Sequence, residues 1–166
     1  MLTRDRLTEH QWIPIRNTPH HVVIAVSAAG GSPLDDLLEH RAGLQGIVDA
    51  MHSTHPLVRE IAASHHIMHA QDHVRTWYYT LPDPDRTPTT LQSKAIESFQ
   101  HALSVLAEHG VRDDQLHYSE FVLSLATRVA RAAREGDLMG LGGQLVSTNE
   151  RAFIQQIEVI VRTRGL

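Results

Sequence analysis

From His55 to Thr80 the chain carries one long uninterrupted segment: after Pro56, neither glycine nor proline breaks LVREIAASHHIMHAQDHVRTWYYT. Placed on a helix at about 100° per residue, this segment is apolar on two separate sides. Leu57, Val58, Ile61 and Met68 share one face, and Ala63, Ile67, Ala70, Val74 and Trp77 share another. Glu60, Ser64, Gln71 and Arg75 form a polar stripe between them, and His65, His69 and His73 fill the opposite gap with His66 and Asp72 beside them. A helix with two apolar faces has to be covered by other helices. The chain is therefore expected to be a helical bundle, with the histidine stripe directed between neighbours and at least partly buried.

Start and stop signals extend this reading along the sequence. Thr8 and Gln11 have the spacing of a capping box, and Pro14 is expected to limit that helix to a turn or two, with Trp12, Ile13 and Ile15 folding back as a lid. Thr18-Pro19 reads as an N-cap with proline at the first helical position, opening a helix that Gly30-Gly31 closes. The run HHVVIAVSAA could be a buried strand, but no second strand-like run exists to pair with it, so helix is expected. Ser32-Pro33 repeats the start signal for a helix to about Met51, with Leu34, Leu37, Leu38, Leu44, Ile47, Val48 and Met51 inward. Asp35, Asp36 and Glu39 lie in its early turns, where the dipole favours acids.

Beyond the histidine segment, the proline-rich LPDPDRTPTT is a loop. Helices follow over about Thr90–His109, from Asp113 or Asp114 to Gly136, and from Ser147, whose partner Glu150 completes a second capping box. Their core residues are Ile96, Phe99, Leu103 and Leu106, then Phe121, Val122, Leu125, Val129 and Ala132, then Phe153, Ile154, Ile157 and Ile160. The expectation is an all-α, single-domain bundle over residues 1–166, of six helices plus a short N-terminal helical turn. Two pieces, His21 to Ala50 and Phe121 to Val161, share one plan: helix, glycine-containing break, capped second helix.

Composition narrows the function classes. A net charge of −4 and a pI near 6.3 give no footprint for nucleic acid or an anionic membrane. Without cysteine there is neither a disulfide framework nor a thiolate zinc site. The longest apolar run, His21 to Ala29, is too short to span a bilayer, and MLTRDRLTEH lacks the apolar core of a signal peptide. A cytoplasmic protein with neither nucleic-acid nor membrane partners is expected. Several helices apolar on more than one side leave surface to cover, which points to a homodimer.

The chemistry-bearing feature is the histidine stripe. His65, His69 and His73 repeat at i, i+4 and i+8, a spacing that lets neighbouring imidazoles share a divalent metal ion, with Asp72 adjacent. A second helix would have to complete the site, from His21, His40, His101 or His117. The alternative is a structural cluster hydrogen-bonded to Asp72 and to neighbouring helices. Other signatures fail. No Glu-x-x-His occurs, as a di-iron bundle requires; His117 and Glu120 stand in the reverse order. Aligning Gly140 in a calcium loop puts Met139 and Val146 at ligand positions. Gly140 to Gly143 is not a phosphate loop, because no strand precedes it, and no nucleophile elbow is present. Arg128, Arg131 and Arg134 fit a solvated face or an interface.

AVSAAGG (Ala25 to Gly31) and ARAAREGD (Ala130 to Asp137), the latter followed by VSTNERAFIQQI, resemble the helix–acidic loop–helix signature of tellurite-resistance TerB-like proteins. That resemblance implies an all-helical fold with two related halves and, in some members, divalent cations held by acidic loop residues. Glu135 and Asp137 match that pattern approximately, whereas Gly30-Gly31-Ser32-Pro33 departs from the Asp-Gly expected in the first half. Two functional expectations follow. One is a non-catalytic stress-accessory or protein-interaction module; the other is a metal-binding bundle, or metal-dependent enzyme, using the histidine-rich helix over residues 56–80.

Overall fold

A helix that the sequence divides in two is continuous. In the computed structural model, which describes residues 1–29, 33–67, 87–135 and 146–166 (side chains of 33–36, 65–67 and 133–135 excepted), α1 runs Glu9–Ser27 through both Pro14 and Pro19. It opens on the expected capping box, in which the Thr8 hydroxyl accepts the Gln11 N–H and the Gln11 side chain accepts the Thr8 N–H. Each proline lacks the N–H that should reach a carbonyl four residues back. Pro14 releases the carbonyl of His10, an exposed residue open to water. Pro19 releases the carbonyl of Ile15, which is buried, and there the Tyr118 hydroxyl donates instead at 3.0 Å. Thr18 is further tied by a hydroxyl bond to the Pro14 carbonyl (2.7 Å) and a contact with Ser98 Oγ (2.7 Å). Thr18-Pro19 is thus mid-helix rather than a start, and Trp12 and Ile15 belong to the core rather than to a lid.

Five further helices follow: α2 (Pro33–Asp49), α3 (Pro56–Ile67), α4 (Pro88–His109), α5 (Arg112–Glu135) and α6 (Thr148–Thr163). Short 3-10 turns occupy Arg4–Arg6 and Ala50–His52. There is no strand among the described residues. Among the described residues the fold is all-α with six helices, as the sequence predicts, although the first begins nearly three turns earlier than the Thr18-Pro19 signal suggests and the N-terminal turn merges into it. Among the described residues the hub is α1. Being apolar around most of its circumference, α1 packs most extensively on α4 and also meets α2, α3 and α5.

Two further signals hold: Gly110 follows the last residue of α4, and Ser147 with Glu150 forms the capping box of α6. The start of α4 lies two residues before the expected Thr90, within the stretch read as a loop, where Thr87 caps it through the Thr90 N–H with Pro88 at the first helical position. Phe99, Leu103, Leu106, Val122, Leu125, Val129, Phe153 and Ile157 join one contiguous core.

The buried face of α2 differs from expectation. Leu37 is 65% exposed and Val48 44%, while Gly43, Gly46 and Ile47 face inward and the Glu39 side chain is 1% exposed. A Cβ on Gly43 would stand 2.5 and 2.7 Å from the Val23 methyls and 2.9 Å from Val129 Cγ2; one on Gly46 would stand 2.6 Å from Leu125 Cδ2. The two glycines let α2 approach α1 and α5 more closely than any larger residue would permit.

Candidate metal centre

The histidine stripe lies largely beyond the described residues. His65 falls within α3, but its side chain, with that of His66, is outside them; His69, Asp72 and His73 are outside altogether. Of the proposed second-helix ligands, His21 Nδ1 pairs with Ser98 Oγ at 3.0 Å. His40 is half-buried, and burial lowers its pKa below 6.5. His101 is exposed beside His10, their ring centroids 6.2 Å apart. Among the described residues, His117 alone of these joins a group with metal-ligand character.

That group is His55, Asp113 and His117, each offering one donor atom, with all three donors within 4.8 Å of one another. His55 caps the start of α3: its carbonyl accepts the Arg59 N–H (3.1 Å), and its own N–H donates to Ser53 Oγ (3.2 Å). Pro56 follows at the first helical position and holds the preceding backbone extended. The imidazole is thereby turned away from α3 towards the start of α5. Asp113 and His117 stand four residues apart there, on one face of the helix, and Glu120 adds the next position.

Donor spacing suits a small cation. Asp113 Oδ2 is 3.3 Å from His55 Nε2, and Asp113 Oδ1 is 3.5 Å from His117 Nε2. Two ligand atoms on a tetrahedral ion with bonds of about 2.0–2.1 Å lie about 3.4 Å apart. The imidazole rings are 4.6 Å apart centre to centre. His117 Nδ1 lies 3.2 Å from Glu120 Oε2, the outer carboxylate that commonly fixes a ligating histidine's tautomer and orientation.

The burial is uneven. His55 is 4% exposed and neither of its ring nitrogens makes a hydrogen bond, although Nε2 lies within ion-pair range of Asp113 and, at 3.5 Å, of Asp114 Oδ1. Buried imidazole nitrogens normally find a partner, so His55 is a donor waiting on the inner wall. His117 and Asp113 are substantially exposed and form the outer wall. Beyond His117 and Glu120 an open cleft of about 360 Å³ continues along α5, floored by Val58, Phe121 and Leu125.

No family model, curated protein or solved structure matches this chain. Its site therefore rests on geometry alone. A sequence signal for part of it exists: Asp113, His117 and Glu120 at i, i+4 and i+7 place two carboxylates and an imidazole on one helical face. A search for histidine pairs alone passes over it, and His55, a loop-end residue from another part of the chain, has no periodicity to betray it.

Proposed function

We propose that this protein is a helical metal-binding protein that holds one divalent transition-metal ion, of the zinc class, through His55, Asp113 and His117. The observation that carries the reading is the His55 imidazole, buried and without a hydrogen bond, facing a carboxylate and a second imidazole at ligand spacing. Imidazole donors favour zinc and its first-row neighbours over magnesium or calcium, which prefer all-oxygen sites. Three protein donors leave further coordination positions for water or a small ligand, and the adjoining cleft gives them access. The TerB-like resemblance agrees in kind, since some of those proteins bind divalent cations; its loops, residues 30–32 and 136–145, lie outside the described residues.

The test is zinc binding by untagged protein, measured by competition with a chromophoric chelator and by thermal melting with and without a strong chelator. Wild type should bind one ion per chain at His117-dependent affinity, and chelator should lower its melting temperature. His117→Ala should lose that ion and the chelator effect. A His65→Ala, His69→Ala, His73→Ala triple variant keeps the site under this reading; if that variant loses the ion while His117→Ala retains it, the metal belongs to the histidine stripe instead.

A second reading, an interaction module acting as a homodimer, draws on the exposed Leu37 and Val48, which share one outer face of α2. Light scattering that returns a monomer near 18.6 kDa at all working concentrations refutes it. No helix among the described residues is long and apolar enough to cross a membrane.

A further inference from the structure

The first residues of the chain are fastened to both elements that supply the metal ligands. Leu2 is buried, and its N–H donates to Asp114 Oδ2 at 3.0 Å, in the first turn of α5. Two residues later the Arg4 N–H donates to Glu60 Oε2 at 3.0 Å, in the first turns of α3. Leu7 is buried as well, and the Arg4 guanidinium lies over the Trp12 ring, 5.8 Å from its centroid. The arm from Met1 to Leu7 thus spans the same junction, start of α3 against start of α5, that His55 and Asp113 with His117 span from the other side.

Asp114 links the two. It is fully buried; Oδ2 accepts the Leu2 and Val111 N–H groups at 3.0 Å each, and Oδ1, without a hydrogen bond, lies 3.5 Å from His55 Nε2. One carboxylate therefore faces the arm with one oxygen and the inner imidazole with the other. Separating α3 from α5 at this end breaks the arm's two hydrogen bonds and pulls His55 from its partner ligands together.

We propose that the arm is a clasp on the metal centre, with Asp114 as its positioning residue: ion binding holds the arm closed, and the docked arm tightens the ion. The inference rests on the metal reading above. Two ligands that favour one arrangement strengthen each other by the same factor, so the effect is readable from either side.

Arg4 and Arg6 make the arm a reporter, because trypsin cuts a locally opened segment faster than one held in place. In untagged full-length protein, release of the peptides ending at Arg4 and Arg6 is followed by mass spectrometry, normalised to cleavage after the exposed Arg162, with zinc and with chelator. Zinc should slow arm release about tenfold, within the usual range of coupling between sites, and should have no effect in His117→Ala. Glu60→Gln, which loosens the arm without touching a ligand or Asp114, should speed arm release and weaken zinc by a matching factor. Asp114→Asn should weaken zinc about tenfold or more, as loss of an outer partner does. If wild type binds zinc through His117 but arm cleavage is the same with and without it, the clasp is overturned and the metal site stands. If wild type binds no zinc, or His117→Ala binds it equally well, the metal site itself is wrong and the clasp falls with it.

Discussion

Replacing Gly43 by alanine should destabilise this protein, although the same exchange in most helix interiors does the opposite. Alanine is favoured over glycine by about 1 kcal/mol in the middle of a helix. Against that gain stands the space the new methyl would enter. Its nearest neighbours would be the two Val23 methyls at 2.5 and 2.7 Å and Val129 Cγ2 at 2.9 Å, whereas carbon atoms pack comfortably at about 3.5–4.0 Å. Both valines are fully buried, on two different helices, and β-branching leaves them little rotamer freedom. Neither can turn aside, so α2 has to back away from α1 and α5 by up to about 1 Å. Overpacking of this kind costs about 1–3 kcal/mol, for a net loss of up to about 2 kcal/mol. In a chain of 166 residues that lowers the melting temperature by up to roughly 8 °C. Urea denaturation should show a lower midpoint with an unchanged slope. The mechanism has its own control: a Val23→Ala background removes the two shortest contacts and leaves only Val129 Cγ2 at 2.9 Å, so the cost of Gly43→Ala should shrink, with a coupling of about 0.5–3 kcal/mol. A rise in midpoint for Gly43→Ala in the otherwise wild-type chain would refute the close approach of α2.

Tyr118→Phe should cost about 1–3 kcal/mol in urea denaturation, because it leaves the buried Ile15 carbonyl without a donor; with Pro19→Ala restoring the backbone N–H, that cost should shrink, and an unchanged cost would show that the hydroxyl has another role. His40 has its pKa lowered by burial. Its neutral form is therefore the one the fold favours, and the stability it contributes is complete above about pH 6.5 and declines as pH falls from there through the depressed folded value. Between pH 7.5 and 5.0 wild type should lose more stability than His40→Gln; parallel losses would exclude this role. The Asp49 carboxyl is held below 3.8 by hydrogen bonds from Gln45 first and Arg128 second. Arg128→Ala and Gln45→Ala should each raise its titration midpoint in carboxyl-carbon NMR; an unchanged midpoint in either would contradict these contacts.

How far the sequence discloses this fold depends on how local each determinant is. Helix ends are set by residues within a few positions of one another. Thr8 with Gln11, Ser147 with Glu150 and the stop at Gly110 are all legible for that reason. The path of α1 is not, because what lets a helix continue past Pro19 is a hydroxyl 103 residues away from the carbonyl it serves. The phase of α2 misleads for a different reason. Counting leucines puts Leu37 inside, but α2 lies so close to α1 and α5 that glycine is what fits, and the buried face is chosen by clearance rather than by hydropathy.

The candidate site divides along the same line. Asp113, His117 and Glu120 are a local pattern on one helix, readable from spacing once carboxylates are sought together with histidines. His55 and Asp114 acquire their significance only from tertiary contact, and these are the two most deeply buried members. Burial is also what separates a ligand set from a solvated charge cluster. An exposed Asp-x-x-x-His pair at i, i+4 is worth a few tenths of a kcal/mol and is common on helix surfaces. An imidazole with neither nitrogen hydrogen-bonded, buried beside a buried carboxylate, carries a desolvation penalty. A cation shared with Asp113 and His117 would offset it, and would at the same time bind the start of α3 to the start of α5, the two elements to which the N-terminal arm is hydrogen-bonded. Metal affinity, arm closure and local stability at this end of the bundle should therefore rise and fall together. Measuring any one of them in the Asp114→Asn variant tests the other two.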